Sequence, residues 1–435
     1  MQLIQSTYLT DLLATITQRN RADGRATDTR SARELCDLLL TDLGDVSSNK
    51  MSRALLAKYR DMEPAAKRAF FDMLADHYDI DGDRLTQLVA DYTRDRDPDV
   101  LAALTACAEP RRQELFRRLN RVPGATADLV AMRCDLLAAM KDAPRLAVID
   151  HDFLHLFRSW FNQGFLVLRR INWDSPASIL EKIIAYEAVH AIDSWDDLRR
   201  RLLPEDRRCY AYFHPAMPEE PLIFVEVALT DGIAGNIQAV LAEDRPALPA
   251  RQINTAVFYS ISNCQKGLRG ISFGNSLIKQ VVEDLKAAMP GLTTFVTLSP
   301  VPGFRRWAET ALEDLPEEES RTLRSALDDT SDDPAAARTL RAQVAHYLIA
   351  AKHPRGGPLD PVARFHLGNG ALLHEVHAGA DISPNGLRQS CGAMVNYLYD
   401  LNQIDRNIEG YSTSGTVAHA RPLANLLKTH TLSRS

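Results

Sequence analysis

Residues 255–275, TAVFYSISNCQKGLRGISFGN, decide the fold class of this chain. The stretch opens on an apolar run rich in β-branched and aromatic residues, which is typical of a strand. Glycines at 267, 270 and 274 then break the pattern, and the residues from Asn275 to about Ala288 repeat with a helical period. A strand, a turn and a helix in this order predict a sheet whose strands are joined by crossover helices.

The glycine-rich turn between this strand and this helix predicts a phosphate-binding site. Glycines let the backbone approach a ligand closely, and the start of the following helix offers unpaired N–H groups. Lys266 and Arg269 add positive charge suited to a pyrophosphate. The spacing matches neither the Walker A motif nor the GxGxxG dinucleotide pattern. A plain strand-to-helix turn is the alternative on this evidence.

Further strands are expected on both sides of this stretch, at 164–171, 209–214, 222–229 and 294–298. The run at 222–229 is apolar almost throughout, which indicates a central strand. A helix should begin at Ser175–Pro176, with one apolar face that includes Ile179, Ile183, Ile184, Val189 and Ile192. Residues 312–341 are acidic and rich in alanine, which predicts a helical insertion.

The first 160 residues differ from the rest, because apolar residues recur there at three- and four-residue steps. Asp97–Pro98 predicts a helix N-cap followed by proline at the first helical position. We therefore expect a multidomain α and α+β protein, with an all-helical domain over 1–160 and a mixed α/β domain over 161–435. Breaks between helices are expected at Ser47–Asn49, Asp79–Asp83, Arg94–Pro98 and Val122–Gly124.

Composition narrows the function classes. The 435 residues include 51 Lys and Arg against 57 Asp and Glu, and the net charge of −6 argues against a dedicated nucleic-acid binder. Six scattered cysteines favour a reducing compartment. No apolar run reaches the roughly 18 residues that span a bilayer. The first residues lack the pattern of a secretory signal, and the last three are not a peroxisomal signal, so we expect a cytoplasmic protein without membrane partners.

Two residues are candidates for catalysis. Ser299 follows a predicted strand in a loop stiffened by prolines, which would hold its hydroxyl in one place. His366 precedes a glycine pair, and histidine suits proton transfer near neutral pH. A plain turn serine and a structural histidine are the alternatives. His374 and His377 are three residues apart, whereas the HExxH zinc motif needs four, so no metal site is predicted.

Several long motifs resemble the malonyl-CoA decarboxylase family. They lie in order along the catalytic half, over roughly 160–411. They are CYAYFHPAMPEEPLIFVEVAL at 209–229, FYSIS at 258–262 with the glycine turn at 267–274, LSPVPGF at 298–304, ARFHLGNGA at 363–371 and SCGAMVNY at 390–397.

The resemblance implies a catalytic domain with the GNAT acetyltransferase fold, and a helical domain that self-associates as a homo-oligomer, either dimer or tetramer. It implies conversion of malonyl-CoA to acetyl-CoA and CO₂ without a metal or an organic cofactor. Catalysis would fall on Ser299 and His366. The CoA-binding residues would be Arg269, Gly270, Ile271, Ser272, Phe273, Gly274 and Asn275, together with Ser299 and His366.

One departure and two alternatives bear on this interpretation. Some family members carry an acidic residue where Ser272 stands, which puts any substrate-orienting role of that position in doubt. A GNAT-like fold also allows a CoA-dependent acetyltransferase, and a helical half that binds a partner allows a non-enzymatic scaffold. Malonate breakdown and control of malonyl-CoA in fatty-acid metabolism are both open as the metabolic role.

Overall fold

The computed structural model describes residues 28–245, 248–312, 317–328, 333–354 and 356–430. The chain forms two compact units. The helical unit comprises Met1–Phe165, Pro215–Met217 and Gln265–Ile271. The sheet unit comprises Leu166–His214, Pro218–Cys264 and Ser272–Ser435. The domain boundary between residues 160 and 161 stays a prediction, because these units are defined by packing and take in short segments from distant parts of the chain.

The helical unit confirms the prediction of a helical first half. Its aromatic centre contains Phe71, Phe116, Phe153 and Phe157, all fully buried. The rings of Phe116 and Phe153 stack with their centroids 4.3 Å apart. Its helices are Ala32–Leu39 (α1), Asp45–Arg60 (α2), Pro64–His77 (α3), Gly82–Asp95 (α4), Pro98–Cys107 (α5), Arg111–Leu119 (α6), Ala125–Ala139 (α7) and Ala147–Trp160 (α8).

Local capping sets some helix boundaries and packing sets others. Asp97 caps α5 as predicted, since its carboxylate accepts a backbone N–H of the first turn at 2.8 Å and Pro98 takes the first helical position. The break predicted at Ser47–Asn49 is wrong, because these residues lie within α2. Met51 and Leu55 on the same helix are buried, and burial of this face outweighs the modest helix propensity of serine.

The sheet unit is built on one mixed sheet, which has eight strands in the part of the chain that the structure describes. Hydrogen-bonded neighbours follow the order β1-β2-β3-β4-β5-β8-β6, and β7 also pairs with β8. Among the pairs of these described strands, β4–β5 is the one parallel pair. The strands are Val167–Ile171 (β1), Arg207–Phe213 (β2), Ile223–Thr230 (β3), Thr255–Asn263 (β4), Thr294–Thr297 (β5), Ser299–Pro300 (β6), Leu372–His377 (β7) and Met394–Leu398 (β8).

The strands predicted from the sequence are present, and β3 is central as expected, with every residue from Ile223 to Leu229 buried. One side of the sheet packs against the helices Ala177–Tyr186 (α9) and Trp195–Leu202 (α10). The prediction that Val189 and Ile192 continue the apolar face of α9 is wrong, because α9 ends at Tyr186. The carboxylate of Glu187 accepts the N–H groups of Val189 and His190 at 2.7 and 2.8 Å, which turns the chain there.

The strands β4 and β5 separate part-way along their length. They pair in parallel from Thr255–Thr294 to Phe258–Thr297, and the N–H of Leu298 makes one further bond to the carbonyl of Phe258. Beyond this point β4 continues along β3, with a β-bulge opposite Glu226–Val227. The chain after β5 instead follows β8, which already pairs with Val296, and continues along it as the short strand β6. The start of β6 therefore lies where the two strands diverge.

The remaining elements complete the sheet unit. The predicted 312–341 insertion contains the helix Glu317–Asp328 (α14) and the first part of the helix Pro334–Ile349 (α15), and residues 313–316 and 329–332 lie outside the described part. No described helix is long and apolar enough to cross a membrane. The helices are Ile237–Leu241 (α11), Gly274–Ala288 (α12), Phe304–Leu312 (α13), Glu317–Asp328 (α14), Pro334–Ile349 (α15), Pro361–Gly368 (α16), Pro384–Ser390 (α17), Ile404–Ser414 (α18) and Arg421–His430 (α19).

Candidate active site

The structure brings the two candidate catalytic residues together. Ser299 is the first residue of β6, directly after the divergence of β4 and β5. His366 lies on α16, whose N-terminus is capped by Asp360 through a 2.8 Å bond from the N–H of Ala363. The Ser299 hydroxyl oxygen lies 3.3 Å from Nε2 of His366. Both side chains are buried, so their mutual contact takes place away from bulk water.

Two tyrosines of the β8 region fix the imidazole of His366. The ring of Tyr397 stacks on it, with centroids 4.5 Å apart and an interplanar angle of 24°. The hydroxyl of Tyr399 lies 2.8 Å from Nδ1. Burial raises the pKa of Tyr399, so its phenol keeps its proton, and we assign this hydroxyl as the hydrogen-bond donor to Nδ1. The proton of the neutral imidazole then lies on Nε2, which faces Ser299.

The imidazole of His366 is uncharged over the physiological range. Burial lowers the pKa of His366 to about 3, because desolvation disfavours the imidazolium. A neutral imidazole with its proton on Nε2 cannot accept a proton there, but it can donate a hydrogen bond. His366 is therefore suited to stabilise an oxygen that gains negative charge.

Thr297 fixes the direction of the Ser299 hydroxyl. The Ser299 hydroxyl donates to Oγ1 of Thr297 at 2.9 Å, and the backbone N–H of Tyr397 donates to the same oxygen at 3.2 Å. Since the only proton of Ser299 points to Thr297, its lone pairs are left to face Nε2–H of His366. The four side chains form one directed chain of hydrogen bonds, from Tyr399 through His366 and Ser299 to Thr297.

The cap of α16 carries an unusual carboxyl group. Asp360 is fully buried, and one carboxyl oxygen has no hydrogen-bond partner within the described residues. Burial raises the pKa of Asp360 to about 7, against the lowering effect of the backbone N–H groups of Ala363 and Val362. The helix that carries His366 therefore begins at a group that titrates near neutral pH.

The first part of the predicted CoA-binding turn forms a short 3-10 turn. Gln265–Ile271 belong to the helical unit, and the chain enters the sheet unit at Ser272. Lys266–Leu268 form a 3-10 turn, in which Gly267 and Leu268 are buried. Lys266, Arg269 and Gly270 are exposed, and so is Ser272, whereas Ile271 is half-buried. The predicted cationic turn is thus present, with its charged side chains at the surface.

The second part of the turn leads into α12. The helix begins at Gly274, one residue before the predicted start, and Phe273 is buried at its N-cap. A Cβ at Gly274 would lie 2.0 Å from Cε2 of Phe365, so only glycine allows this contact. The ring of Phe365 meets that of His366 edge to face, with centroids 4.9 Å apart. The side chain of Asn275 lies outside the described residues.

Two family models match the chain. One, described as the malonyl-CoA decarboxylase C-terminal domain, matches residues 164–435, and the other, described as the malonyl-CoA decarboxylase N-terminal domain, matches residues 78–161. The first match alone covers more than half of the chain. The chain belongs to the malonyl-CoA decarboxylase family.

Solved and curated malonyl-CoA decarboxylases resemble it over most of its length. The structure from Rhodopseudomonas palustris is 48% identical with a TM-score of 0.85, over 91% of this chain and 100% of that one. The structure from Agrobacterium vitis is 47% identical with a TM-score of 0.87, over 91% and 99%. The mitochondrial malonyl-CoA decarboxylase of Anser anser anser is 34% identical over 408 residues, which are 84% of this chain and 80% of the relative.

Sequence reasoning misses three members of the site in this malonyl-CoA decarboxylase homologue. The sequence assigns Thr297 only to a strand, Tyr397 only to a family motif, and Tyr399 to nothing. A signal exists for Thr297, because it lies two residues from Ser299 and so shares a strand face with it. None exists for the tyrosines, since their contact with His366 depends on the pairing of distant elements.

His374 and His377, the two histidines that resemble part of a zinc motif, are residues of the sheet. They lie on β7, not on a helix, and His377 is hydrogen-bonded through Nε2 to the side-chain oxygen of Asn396. The amide nitrogen of Asn396 in turn donates to the carbonyl of Thr297 at 2.8 Å. Among the described residues, no group of three or more His, Cys, Asp or Glu side chains could hold a metal ion.

Proposed function

We propose that Ser299 and His366 carry out the decarboxylation of malonyl-CoA to acetyl-CoA and CO₂. The observation that carries the proposal is their 3.3 Å contact in a buried position, at the point where β4 and β5 diverge. A thioester that enters between the separating strands meets both side chains. Membership of the malonyl-CoA decarboxylase family supports decarboxylation as the reaction. The directions of the hydrogen bonds support the roles given below to Ser299 and His366.

The reaction places two demands on the site. The bond between the carboxylate carbon and the methylene carbon breaks, and its electron pair is delocalised onto the thioester oxygen as an enolate. The methylene carbon then takes up a proton, so malonyl-CoA and one proton give acetyl-CoA and CO₂. The site has to stabilise the enolate oxygen and deliver that proton.

His366 meets the first demand as a neutral hydrogen-bond donor. Its Nε2–H faces Ser299, and a preorganised donor of this kind stabilises a developing oxyanion by about 3–4 kcal/mol. Ser299 relays the proton, or holds the substrate carboxylate after its hydroxyl turns from Thr297. The resemblance implies the serine as proton acceptor and the histidine as donor, and because the imidazole is neutral, His366 donates a hydrogen bond and keeps its proton. Thr297 and Tyr399 orient the two groups and do not themselves react.

The CoA part of the substrate is assigned to the glycine-rich turn and to β4. We propose that Arg269, Gly270, Ile271, Ser272, Phe273, Gly274 and Asn275 bind CoA, with its phosphates near the N-terminus of α12. The pantetheine arm follows the part of β4 that extends beyond Phe258. The first-turn N–H groups of α12 and the exposed cation at Arg269 suit an anionic ligand.

The experiment measures CO₂ and acetyl-CoA released from malonyl-CoA in a buffer that contains EDTA. Ser299→Ala and His366→Asn should each lower kcat by about a hundredfold or more, because each removes a group engaged in proton transfer or enolate stabilisation. The controls are Ser52→Ala and His151→Asn, which alter a buried serine and an exposed histidine, both on helices of the helical unit.

Both control variants should keep a kcat close to that of the wild type. Near wild-type turnover in both Ser299→Ala and His366→Asn would overturn the assignment. An acetyltransferase would instead transfer acetyl groups from acetyl-CoA to an amine and leave malonyl-CoA unchanged, so an amine acceptor is included in a parallel assay.

Three expectations from the sequence stay predictions. They are self-association as a dimer or tetramer through the helical region, a cytoplasmic location, and turnover without a metal or organic cofactor. Size-exclusion chromatography with light scattering tests the first. The EDTA-containing assay tests the third with respect to a metal. The vertebrate relative described above is named as a mitochondrial protein, so the location is tested on the protein itself by fractionation.

A further inference from the structure

We propose that Arg133, a buried arginine of α7, is a positioning residue for CoA binding. It fixes the backbone of the turn that the proposed function assigns to CoA, and the inference therefore rests on that assignment. Arg133 and the turn segment Gln265–Ile271 both belong to the helical unit.

The contacts of Arg133 leave its guanidinium with a defined set of partners. The side chain is 2% exposed, and a buried arginine has to be paired. Its Nε donates to a carboxylate oxygen of Asp150 on α8 at 2.8 Å. One terminal nitrogen donates to the backbone carbonyls of Gly267 at 2.7 Å and Arg269 at 2.8 Å. Asp150 balances the charge, and the two carbonyls belong to the turn.

The turn also touches the backbone of α7 directly. A Cβ at Gly267 would lie 2.0 Å from the carbonyl oxygen of Val130, so this approach requires glycine. Val130 and Arg133 are three residues apart and share one face of α7. The turn therefore contacts this face of α7 twice, by close packing at Val130 and by hydrogen bonds at Arg133.

These contacts determine which way the turn presents its N–H groups. In a trans peptide the N–H points opposite to the carbonyl. Because the carbonyl of Arg269 is bound to Arg133, the N–H of Gly270 is directed away from α7. Gly270 has a φ of +88°, which favours glycine, and it is exposed together with Lys266 and the Arg269 side chain. An outward N–H beside two cations suits a phosphate group of CoA.

The test uses the full-length protein with the substitution Arg133→Lys. Lysine keeps the charge, but its single ammonium nitrogen cannot replace both Nε, which binds Asp150, and the terminal nitrogen, which binds the two carbonyls. We expect the KM for malonyl-CoA to rise about tenfold, as for the loss of a charge-assisted hydrogen bond. The kcat should stay within about twofold, because Ser299 and His366 are unaltered, and the Kd for acetyl-CoA measured by calorimetry should rise with the KM.

Arg112→Lys is the matched control. Arg112 is a buried arginine of the same unit, paired with Asp152 and with Asp79, and both of these partners lie outside the turn. Its substitution should lower the free energy of unfolding without changing the KM. An equal rise of the KM in both variants would mean a general structural effect and would overturn the proposal.

Two further outcomes separate the proposals. A wild-type protein that does not decarboxylate malonyl-CoA overturns the proposed function. An active wild type together with a folded Arg133→Lys variant of unchanged KM overturns only the positioning role. If the variant does not fold, hydrogen exchange on the wild type decides: CoA should slow exchange both in 265–271 and around Arg133 in α7, and unchanged exchange in α7 contradicts the proposal.

Discussion

The direction of its single proton determines what the hydroxyl of Ser299 can bind. A serine hydroxyl alone is a poor acid and a poor base, so its surroundings decide what it can do. Here the proton points to Thr297, and the lone pairs face a neutral histidine. The hydroxyl oxygen and the Nε2–H group are therefore held in fixed orientations before the substrate arrives, which is the condition for electrostatic preorganisation.

Substitution of Thr297 tests this orientation. Thr297→Val keeps the branched shape but removes the oxygen that accepts from Ser299, so the serine hydroxyl is free to turn. We expect kcat to fall about tenfold, the equivalent of roughly one hydrogen bond, with little change in the KM. Steady-state kinetics with malonyl-CoA measures both constants.

Thr297→Ser is the control for this prediction, since it retains the hydroxyl and should keep most of the activity. A Thr297→Val variant as fast as the wild type would show that the serine is oriented by His366 alone.

The sequence predicts Ser299 and His366 as site residues, but it does not predict the side chains that contact them. A serine between a strand and prolines, and a histidine before glycines, are visible along the chain. Tyr399 is not, because its role depends on the distance from its hydroxyl to Nδ1 of His366, and 33 residues separate the two along the chain. A hydrogen bond of this kind leaves no periodic mark in a single sequence.

The start of α12 and the helix α16 are coupled by one close contact. Gly274 leaves room for the ring of Phe365, which lies next to His366 in sequence and against it in space. Gly274→Ala would force a methyl group into that ring. We expect a loss of about 1–3 kcal/mol in the free energy of unfolding, together with reduced kcat as the imidazole shifts. Urea denaturation and the decarboxylase assay measure the two effects.

Gly410→Ala provides the comparison, since Gly410 lies in α18, where an added Cβ would have no described atom within 4 Å apart from the local backbone. It should leave the activity unchanged and leave stability equal or increase it by up to about 1 kcal/mol. If Gly274→Ala behaves like Gly410→Ala, the contact with Phe365 can relax without consequence.

Whole elements are predicted better than their ends. The central strand β3 follows from its continuous apolar run, and α5 begins at Asp97–Pro98 as its cap indicates. The end of α9 could not be predicted, because it depends on the carboxylate of Glu187, which binds the N–H groups of the turn and the hydroxyl of Ser260 on β4. The strand β6 has two residues, too few for any periodicity.

Two buried carboxyl groups set an expected pH dependence of the whole molecule. Burial raises the pKa of Asp360 to about 7 and that of Glu226 to about 8, the latter with help from the nearby Glu187 and against the effect of Arg201. In the unfolded chain both groups titrate near pH 4. The native state therefore binds more protons above pH 4, and the stability from the protonated forms is lost as the pH rises through 7 to 8.

The double substitution Asp360→Asn and Glu226→Gln removes both titrations and keeps the side-chain shapes. The amide oxygen introduced at position 360 can still cap α16. We expect the variant to gain stability relative to the wild type as the pH rises from about 5 to about 8.5, across the range in which the wild-type carboxyls lose their protons. Urea denaturation at the two pH values measures the difference, and a difference that is the same at both would contradict the assignment of the raised pKa values.

The general architecture was predictable, because helical periodicity and strand runs occupy separate halves of the chain. The sequence did not predict which residues belong to each of the two compact units. Gln265–Ile271 lie in the helical unit because of contacts such as that between Arg133 and Arg269, which are 136 positions apart. The sequence predicts a glycine-rich turn at these residues, but it does not predict which helix the turn packs against.

The bond from Arg133 to the Arg269 carbonyl has a consequence for synthesis on the ribosome. After Arg133 has been incorporated, 136 further residues have to follow before this partner exists. At translation rates of roughly 5–20 residues per second, that is a delay of roughly 7–27 seconds. The helices of the first half leave the ribosome early, but the contacts of Arg133 form only after residues 267 to 269 have been made. A fragment that ends near residue 160 contains every described α-helix of the helical unit and still lacks both carbonyls that Arg133 binds there.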